Sequence, residues 1–279
     1  MKHLLLLCVF AILVSSCSNS SSNTKTITIA GSSTVLPIIS NAAELYKETH
    51  PDIKIIVNAG GSGVGVNQVG SQKVNIGMIS RDITSKEKGL YPSILFKTQA
   101  IGKDAVIPAI SSEIYDAGIT TLTLEQIAKI YKGEITNWSA LQGPNKDILV
   151  IDKEKSRGTR HVFMATVMNN KEADAPGADL VLGSNNEEQT ALVQSDAAIG
   201  MLSMAWLNND VKGTSIQTPN GEPVAPTLSN IIEGKFPITR DLTIVTNGNP
   251  TGEVKNFIDF LLSPQGQSIV TDNGYVSIK

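Results

Sequence analysis

The 279-residue chain is poor in the side chains that most metal, redox and nucleophilic chemistry requires, with two cysteines and three histidines. Cys8 lies in an apolar leader and Cys17 directly follows it, so a chain processed at Cys17 has no thiol left for a disulfide or a thiolate metal site. Beyond the leader only His50 and His161 remain, too few for a histidine-built metal centre. A Ser-His-Asp triad would have to use one of those two. No metal and no cofactor are expected. Aromatic residues make up 5%, which disfavours a base-stacking surface or a sugar platform. The formal charge is −3 with no strong run of either sign, which argues against a nucleic-acid partner. The apolar run at 4–14 is too short for a typical membrane-spanning helix.

That run has the order of a secretory leader: Lys2, the apolar segment, then small residues before Cys17. The pentapeptide Leu13-Val14-Ser15-Ser16-Cys17 resembles the lipobox of bacterial lipoproteins, in which cleavage precedes the cysteine and the cysteine is acylated. On that reading residues 1–16 are a signal peptide, Cys17 carries lipid, and 17–25 is a flexible Ser/Asn-rich tether. The alternative is an ordinary signal peptide cut nearby, with Cys17 a free thiol. The lipid would place the protein on the outer face of the cell membrane or in the periplasm. No amphipathic basic helix suggests any further membrane contact.

What is present is a packable chain, 41% hydrophobic and 18% charged, organised around repeated strand–turn–helix units. Residues 26–30 alternate as a short strand, Gly31-Ser32-Ser33-Thr34 is a tight turn, and apolar residues recur at helical spacing from Leu36. Free N–H groups and the helix dipole favour a negative ligand at such a point, although Ser33 or Thr34 could merely cap the helix. A second unit runs from a strand at 53–57 into the glycine-rich 58–65, which contains Ser62. That loop lacks the Gly-Lys-Ser/Thr of a nucleotide P-loop and the acidic ribose ligand of a dinucleotide fold. A third runs from a strand at 148–151 into Ser156-Arg157-Gly158-Thr159-Arg160 and a helix from about His161. Between them, a strand at 75–79 ends in Ser80-Arg81-Asp82, a good position for ligand contact in an open α/β sheet.

Capping boxes at Thr84/Glu87 and Thr123/Gln126 open further helices. Strands are expected at 94–100 and 105–110, separated by Gly102-Lys103-Asp104, and at 198–201 and 241–245. Helices are expected near 188–195, over 253–262 and after Ser263-Pro264. The alternation of strands and helices gives an α/β class.

Several stretches together carry a family resemblance: GSSTVLP at 31–37, GGSGVG at 60–65, GMISRD at 77–82 and LTLEQIAKIYKGEITNW at 122–138. SRGTRHVF at 156–163, IGMLSMAWL at 199–207 and FPITRDLTIVTNG at 236–248 complete the set. In this order, over nearly the whole chain beyond the leader, they resemble the phosphate-binding lipoproteins of bacterial ABC importers, the PstS family. The resemblance implies a two-lobed, type II periplasmic-binding-protein fold, each lobe a mixed sheet flanked by helices. The chain would cross between lobes near 104–108 and 237–243, giving lobe one as 26–105 plus 238–279 and lobe two as 106–237.

It further implies a monomeric receptor without catalysis, which captures inorganic phosphate between the lobes and presents it to the membrane-embedded permease subunits. Carried over by position, the binding residues are Ser33, Thr34, Ser62, Ser80, Arg81, Gly158 and Thr159. The chain departs from the family's Gly-Ser-Gly-Thr-Arg at 156–160: Arg157 stands where a serine is expected, and Lys153 where some members have an arginine. Either Ser156 and the Arg157 N–H replace the lost contact, or the Arg157 guanidinium grips the anion itself. A carboxylate that accepts the proton phosphate keeps, and sulfate lacks, is expected at Asp104 or Asp82, with Asp104 preferred. Other readings are a receptor for sulfate or molybdate, or a hydrolase or phosphatase using Ser33, Ser62 or Ser156.

Overall fold

β1 (Lys25–Gly31) alternates threonine with isoleucine and buries Ile27 and Ile29. The chain turns at 32–34 into α1 (Leu36–Thr49), whose Ile38, Ile39, Ala42 and Tyr46 face inward at helical spacing. β2 (Ile53–Ala59), α2 (Ser62–Gly70) and β3 (Ile76–Ile79) extend the unit, β2 and β3 lying parallel to β1 on either side. α3 (Ser85–Leu90) opens on the Thr84/Glu87 capping box. This computed structural model describes residues 25–219 and 221–278. The leader, Cys17 and the tether before Lys25 lie outside the described residues.

β4 (Phe96–Ser111) is one continuous strand of 16 residues where the sequence suggests two. Gly102 does not break it, because its missing side chain admits Val270, whose Cγ1 would lie 2.9 Å from a Cβ there. α4 (Ser112–Asp116), β5 (Thr121–Thr123) and α5 (Leu124–Tyr131) follow, α5 on the Thr123/Gln126 capping box. β6 (Leu149–Lys153), α6 (Gly158–Val167), β7 (Leu180–Leu182), α7 (Asn185–Gln194) and β8 (Ala198–Ser203) form a second run of α/β units. α6 starts three residues before the sequence suggests, because the Arg157 N–H already closes a turn on the Glu154 carbonyl. Short β9 (Val211–Gly213), β10 (Ser215–Gln217) and α8 (Leu228–Ile232) lead to β11 (Thr239–Asn247), then α9 (Gly252–Leu261) and α10 (Pro264–Asp272).

The main strand order is β2-β1-β3-β11-β4-β8-β6-β7, with β9 also on β4 and a separate β10-β5 pair. β4 is the shared element. As far as Ala105 it pairs antiparallel with β11, and from Val106 it pairs antiparallel with β8. Two hydrophobic cores follow that change of partner. One joins Ile29, Ile38, Met78, Leu242 and Phe257; the other joins Ile107, Trp138, Phe163, Met201 and Phe236. The stretch 122–138 supplies the second core with Leu122, Ile127, Ile130, Tyr131 and Trp138, whose indole N–H donates to the Ala197 carbonyl at 2.9 Å. Among the described residues no helix is long and apolar enough to cross a membrane.

Candidate anion-binding site

The N-termini of α1, α2, α6 and α7 meet at one small cavity, which is lined by Ser32, Ser33, Thr34, Gly61, Ser80, Lys153, Arg157, Gly158, Thr159, Gly183 and Asn185. α1, α2 and α6 have no side-chain cap, unlike α7, whose Ser184 accepts from the Glu187 N–H. Uncapped helix starts keep donors and a partial positive charge directed at whatever sits before them.

Local sequence explains each start. At Gly31, with φ +139°, a Cβ would lie 2.1 Å from the Met78 carbonyl oxygen, so only glycine lets β1 turn while Ser32 N–H donates to that oxygen at 2.8 Å. Gly61, with φ +92°, opens α2 in the same left-handed region. At Gly158 the constraint is close approach: a Cβ would lie 2.3 Å from Ser80 Oγ and 2.5 Å from Ser62 Oγ. α6 can therefore reach β3 and α2 only with glycine at that place.

Behind the hydroxyls lies the buried Arg240, 7% exposed, from β11. Its guanidinium donates to Thr159 Oγ1 at 3.0 Å, Thr34 Oγ1 at 3.2 Å and Ser80 Oγ at 3.4 Å. Thr34 Oγ1 also accepts from Asn185 Nδ2 at 3.1 Å. With two donors already aimed at its oxygen, the Thr34 hydroxyl has its own proton to give to a ligand. Ser62 lies one layer back, accepting from the Ser80 N–H at 3.0 Å.

Each cation of the site has its own carboxylate. Arg240 is paired with Asp104 (Nη2–Oδ2 2.6 Å, Nε–Oδ2 2.9 Å). Arg157 reaches Glu154 Oε2 at 2.6 and 2.7 Å, and the buried Lys153 is paired with the buried Glu188. Burial pushes the Lys153 pKa down and the Glu188 pKa up, and each partner pulls the other back. Helix dipoles, N–H groups and hydroxyls thus carry much of the local attraction for an anion.

Of the sequence-nominated residues, the structure brings Ser33, Thr34, Ser80, Arg157, Gly158 and Thr159 to the cavity wall, with Ser62 just behind. Four nominees lie elsewhere. Arg81 is held by Glu87 in a two-pronged pair at 2.7 and 2.9 Å and does not line the cavity. Ser156 is exposed, and its carbonyl, not its hydroxyl, bridges to the Gly63 N–H at 3.2 Å. Asp104 is fully buried behind Arg240; its carboxylate also accepts from Ser203 Oγ at 2.9 Å and the Met204 N–H at 3.3 Å. Burial raises the Asp104 pKa, while Arg240 and these donors oppose the rise. Asp82 is exposed and faces a separate groove with Arg81, Lys103 and Asp241.

Sequence reasoning did not nominate Arg240, Asn185 or Ser32. An arginine at a buried position of the alternating strand 239–247 was the available signal for the first. For Asn185 it was a fourth strand–turn–helix start at 182–185. Both described histidines lie outside the cavity lining: His50 stacks on Tyr46, and His161 is buried near Glu172 with its Nε2 lacking a hydrogen-bond partner.

A profile described as a PBP superfamily domain matches residues 18–265. The phosphate-binding protein PstS of Bacillus subtilis is 31% identical, the match covering 99% of this chain and 93% of that protein. PstS of Borreliella burgdorferi is 34% identical over 92% and 91% of the respective chains. Among solved structures, a phosphate ABC transporter substrate-binding protein of Clostridium perfringens with bound phosphate superposes with a TM-score of 0.82 at 29% identity, covering 91% of this chain and 100% of that one. An ABC-type phosphate transport receptor of Vibrio cholerae gives 0.71 at 28% identity, with the same coverage. With a two-lobed fold and sequence similarity over almost its whole length, the chain belongs to the PBP superfamily and, within it, to the PstS family of phosphate-binding proteins.

Proposed function

We propose that this protein captures inorganic phosphate in the cavity among α1, α2, α6 and α7 and delivers it to the permease of an ABC importer. The observation that carries the reading is the convergence of three uncapped helix starts, with Lys153 and Arg157, on one small donor-lined space. A tetrahedral dianion can accept from several donors at once, each charge-assisted bond worth about 1.5–3 kcal/mol. The relatives named above are phosphate receptors, which favours phosphate among the oxyanions. With both described histidines outside the cavity lining, binding is favoured over hydrolysis.

We place lobe one at 26–105 plus 238–279 and lobe two at 106–237, in keeping with the change of partner along β4. On that division, Asn185–Thr34, Arg240–Thr159 and Ser156–Gly63 are hydrogen bonds between lobes. A phosphate that bonds to Ser33 and Ser80 on one side and to Arg157, Gly158 and Thr159 on the other favours the closed form, so capture and closure are linked. The closed form is the signal read by the permease. We further propose that Cys17 is acylated after removal of 1–16, anchoring a monomer outside the membrane.

Calorimetric titration of the purified protein with phosphate, arsenate, sulfate and molybdate, beside a phosphatase and esterase screen, tests the reading. Tight phosphate binding without turnover is the expected result. Turnover without tight phosphate binding, or a clear preference for sulfate or molybdate, would overturn it.

A further inference from the structure

We propose that the side-chain carbonyl of Asn185 is the acceptor by which this site selects a protonated oxyanion. The assignment deepens the phosphate reading and rests on it. The other side chains lining the cavity are serine and threonine hydroxyls, Lys153 and Arg157. Lysine and arginine only donate, and a hydroxyl rotates to donate or accept as the ligand requires. None of these distinguishes an anion that carries a proton from one that does not. Asn185 Oδ1 is different, because a side-chain carbonyl oxygen only accepts.

Two further observations single it out. Asn185 is 1% exposed, and its Oδ1 is buried without a hydrogen-bond partner. A buried acceptor left unpaired costs roughly 1–3 kcal/mol, so its persistence at a ligand cavity points to a partner delivered by the ligand. The residue is also not needed as a helix cap, since Ser184 and Glu187 already close that capping box. Instead its Nδ2 is tied to Thr34 Oγ1, which fixes the amide plane. The two carboxylates that could have served are placed elsewhere: Asp104 is taken up by Arg240, Ser203 and Met204, and Asp82 is exposed outside the cavity.

Phosphate and arsenate keep at least one hydroxyl through the neutral range and can donate to Oδ1. Sulfate and molybdate have none, and would set a bare anionic oxygen against the carbonyl. Discrimination of this kind is strong because the wrong ligand leaves a buried polar group unsatisfied.

The test is calorimetry at neutral pH with all four anions on the wild-type chain, Asn185→Ala and Asn185→Asp. Wild-type titrations come first: if phosphate and arsenate do not bind, the phosphate reading falls and this assignment falls with it. With binding present, Asn185→Ala is expected to weaken phosphate and arsenate about tenfold or more while sulfate is unchanged or improved. Asn185→Asp retains an acceptor of the same shape, so it is expected to keep or sharpen the preference for protonated anions. Equal losses for all four anions in Asn185→Ala would mean that the amide presents its N–H₂ group, or acts only as an interlobe tie, and would overturn the assignment. So would an Asn185→Asp protein in which sulfate gains relative to phosphate, a readout that remains even if the alanine variant fails to fold.

Discussion

Arg240 Nη2 lies 2.6 Å from Asp104 Oδ2, and the same nitrogen lies 3.2 Å from Thr34 Oγ1, so one buried ion pair holds up the hydroxyl wall of the anion cavity. The pair bridges β11 and β4, the two antiparallel strands that run together as far as the point where β4 changes partner. Removing one member leaves the other charged and buried, which typically costs about 3–5 kcal/mol. We expect Arg240→Ala to unfold at markedly lower denaturant and to lose measurable phosphate binding. Asp104→Asn is expected to lower stability yet leave the phosphate-over-sulfate ratio within about twofold of wild type, because the carboxylate does not face the cavity. Denaturant titration and competition calorimetry read the two effects separately.

Gly158→Ala tests close approach of the lobes. The added methyl would meet Ser80 Oγ and Ser62 Oγ at 2.3 and 2.5 Å, well inside contact distance. Relief by opening the lobes costs binding more than folding. The expected result is a loss of phosphate affinity of roughly a hundredfold, about 2.7 kcal/mol, with little change in the melting temperature of the unliganded protein. Gly89→Ala is the control: nothing lies within 4 Å of its added methyl, and alanine in a helix is worth up to about 1 kcal/mol over glycine.

Arg157 and Ser156 separate cleanly. Arg157 lines the cavity, and its guanidinium packs over Gly61, where Arg157 Cδ would lie 2.9 Å from an added Cβ. Ser156 contributes only its backbone carbonyl to the interlobe contact. Arg157→Ala is expected to weaken phosphate about tenfold or more, through loss of a charged donor. Ser156→Ala should change affinity less than about twofold, since no side-chain bond is removed. A larger effect of Ser156→Ala than of Arg157→Ala would place the serine hydroxyl on the ligand.

His161 makes stability acid-sensitive. It is 7% exposed, and burial together with Arg81 and Lys171 depresses its pKa to about 4, against the smaller pull of Glu172 and Glu87. Below the ordinary histidine value of 6.5 the unfolded chain takes up a proton that the folded chain refuses until about pH 4. Stability therefore falls as pH drops through that window, by no more than one proton's worth, about 1.4 kcal/mol per pH unit. His161→Gln should flatten this part of the profile. Denaturation midpoints at intervals between pH 7 and 4 for both proteins measure the difference, and parallel profiles would refute it.

The sequence by itself determined the strand–turn–helix units, the capping boxes at Thr84/Glu87 and Thr123/Gln126, and the α/β class. Each depends on residues a few positions apart, so local chemistry is enough to read it. The family stretches carried the two-lobed architecture as well. Tertiary structure decided which side chains meet. Thr34 and Arg240 are 206 residues apart in sequence, and Thr34 and Asn185 are 151 apart. No local pattern announces that Asp104 is spent on an arginine, that Arg81 is spent on Glu87, or that an asparagine keeps a bare carbonyl oxygen beside the cavity. Local sequence creates donors at helix starts; the pairing of strands distant in the chain determines which of those donors line one cavity.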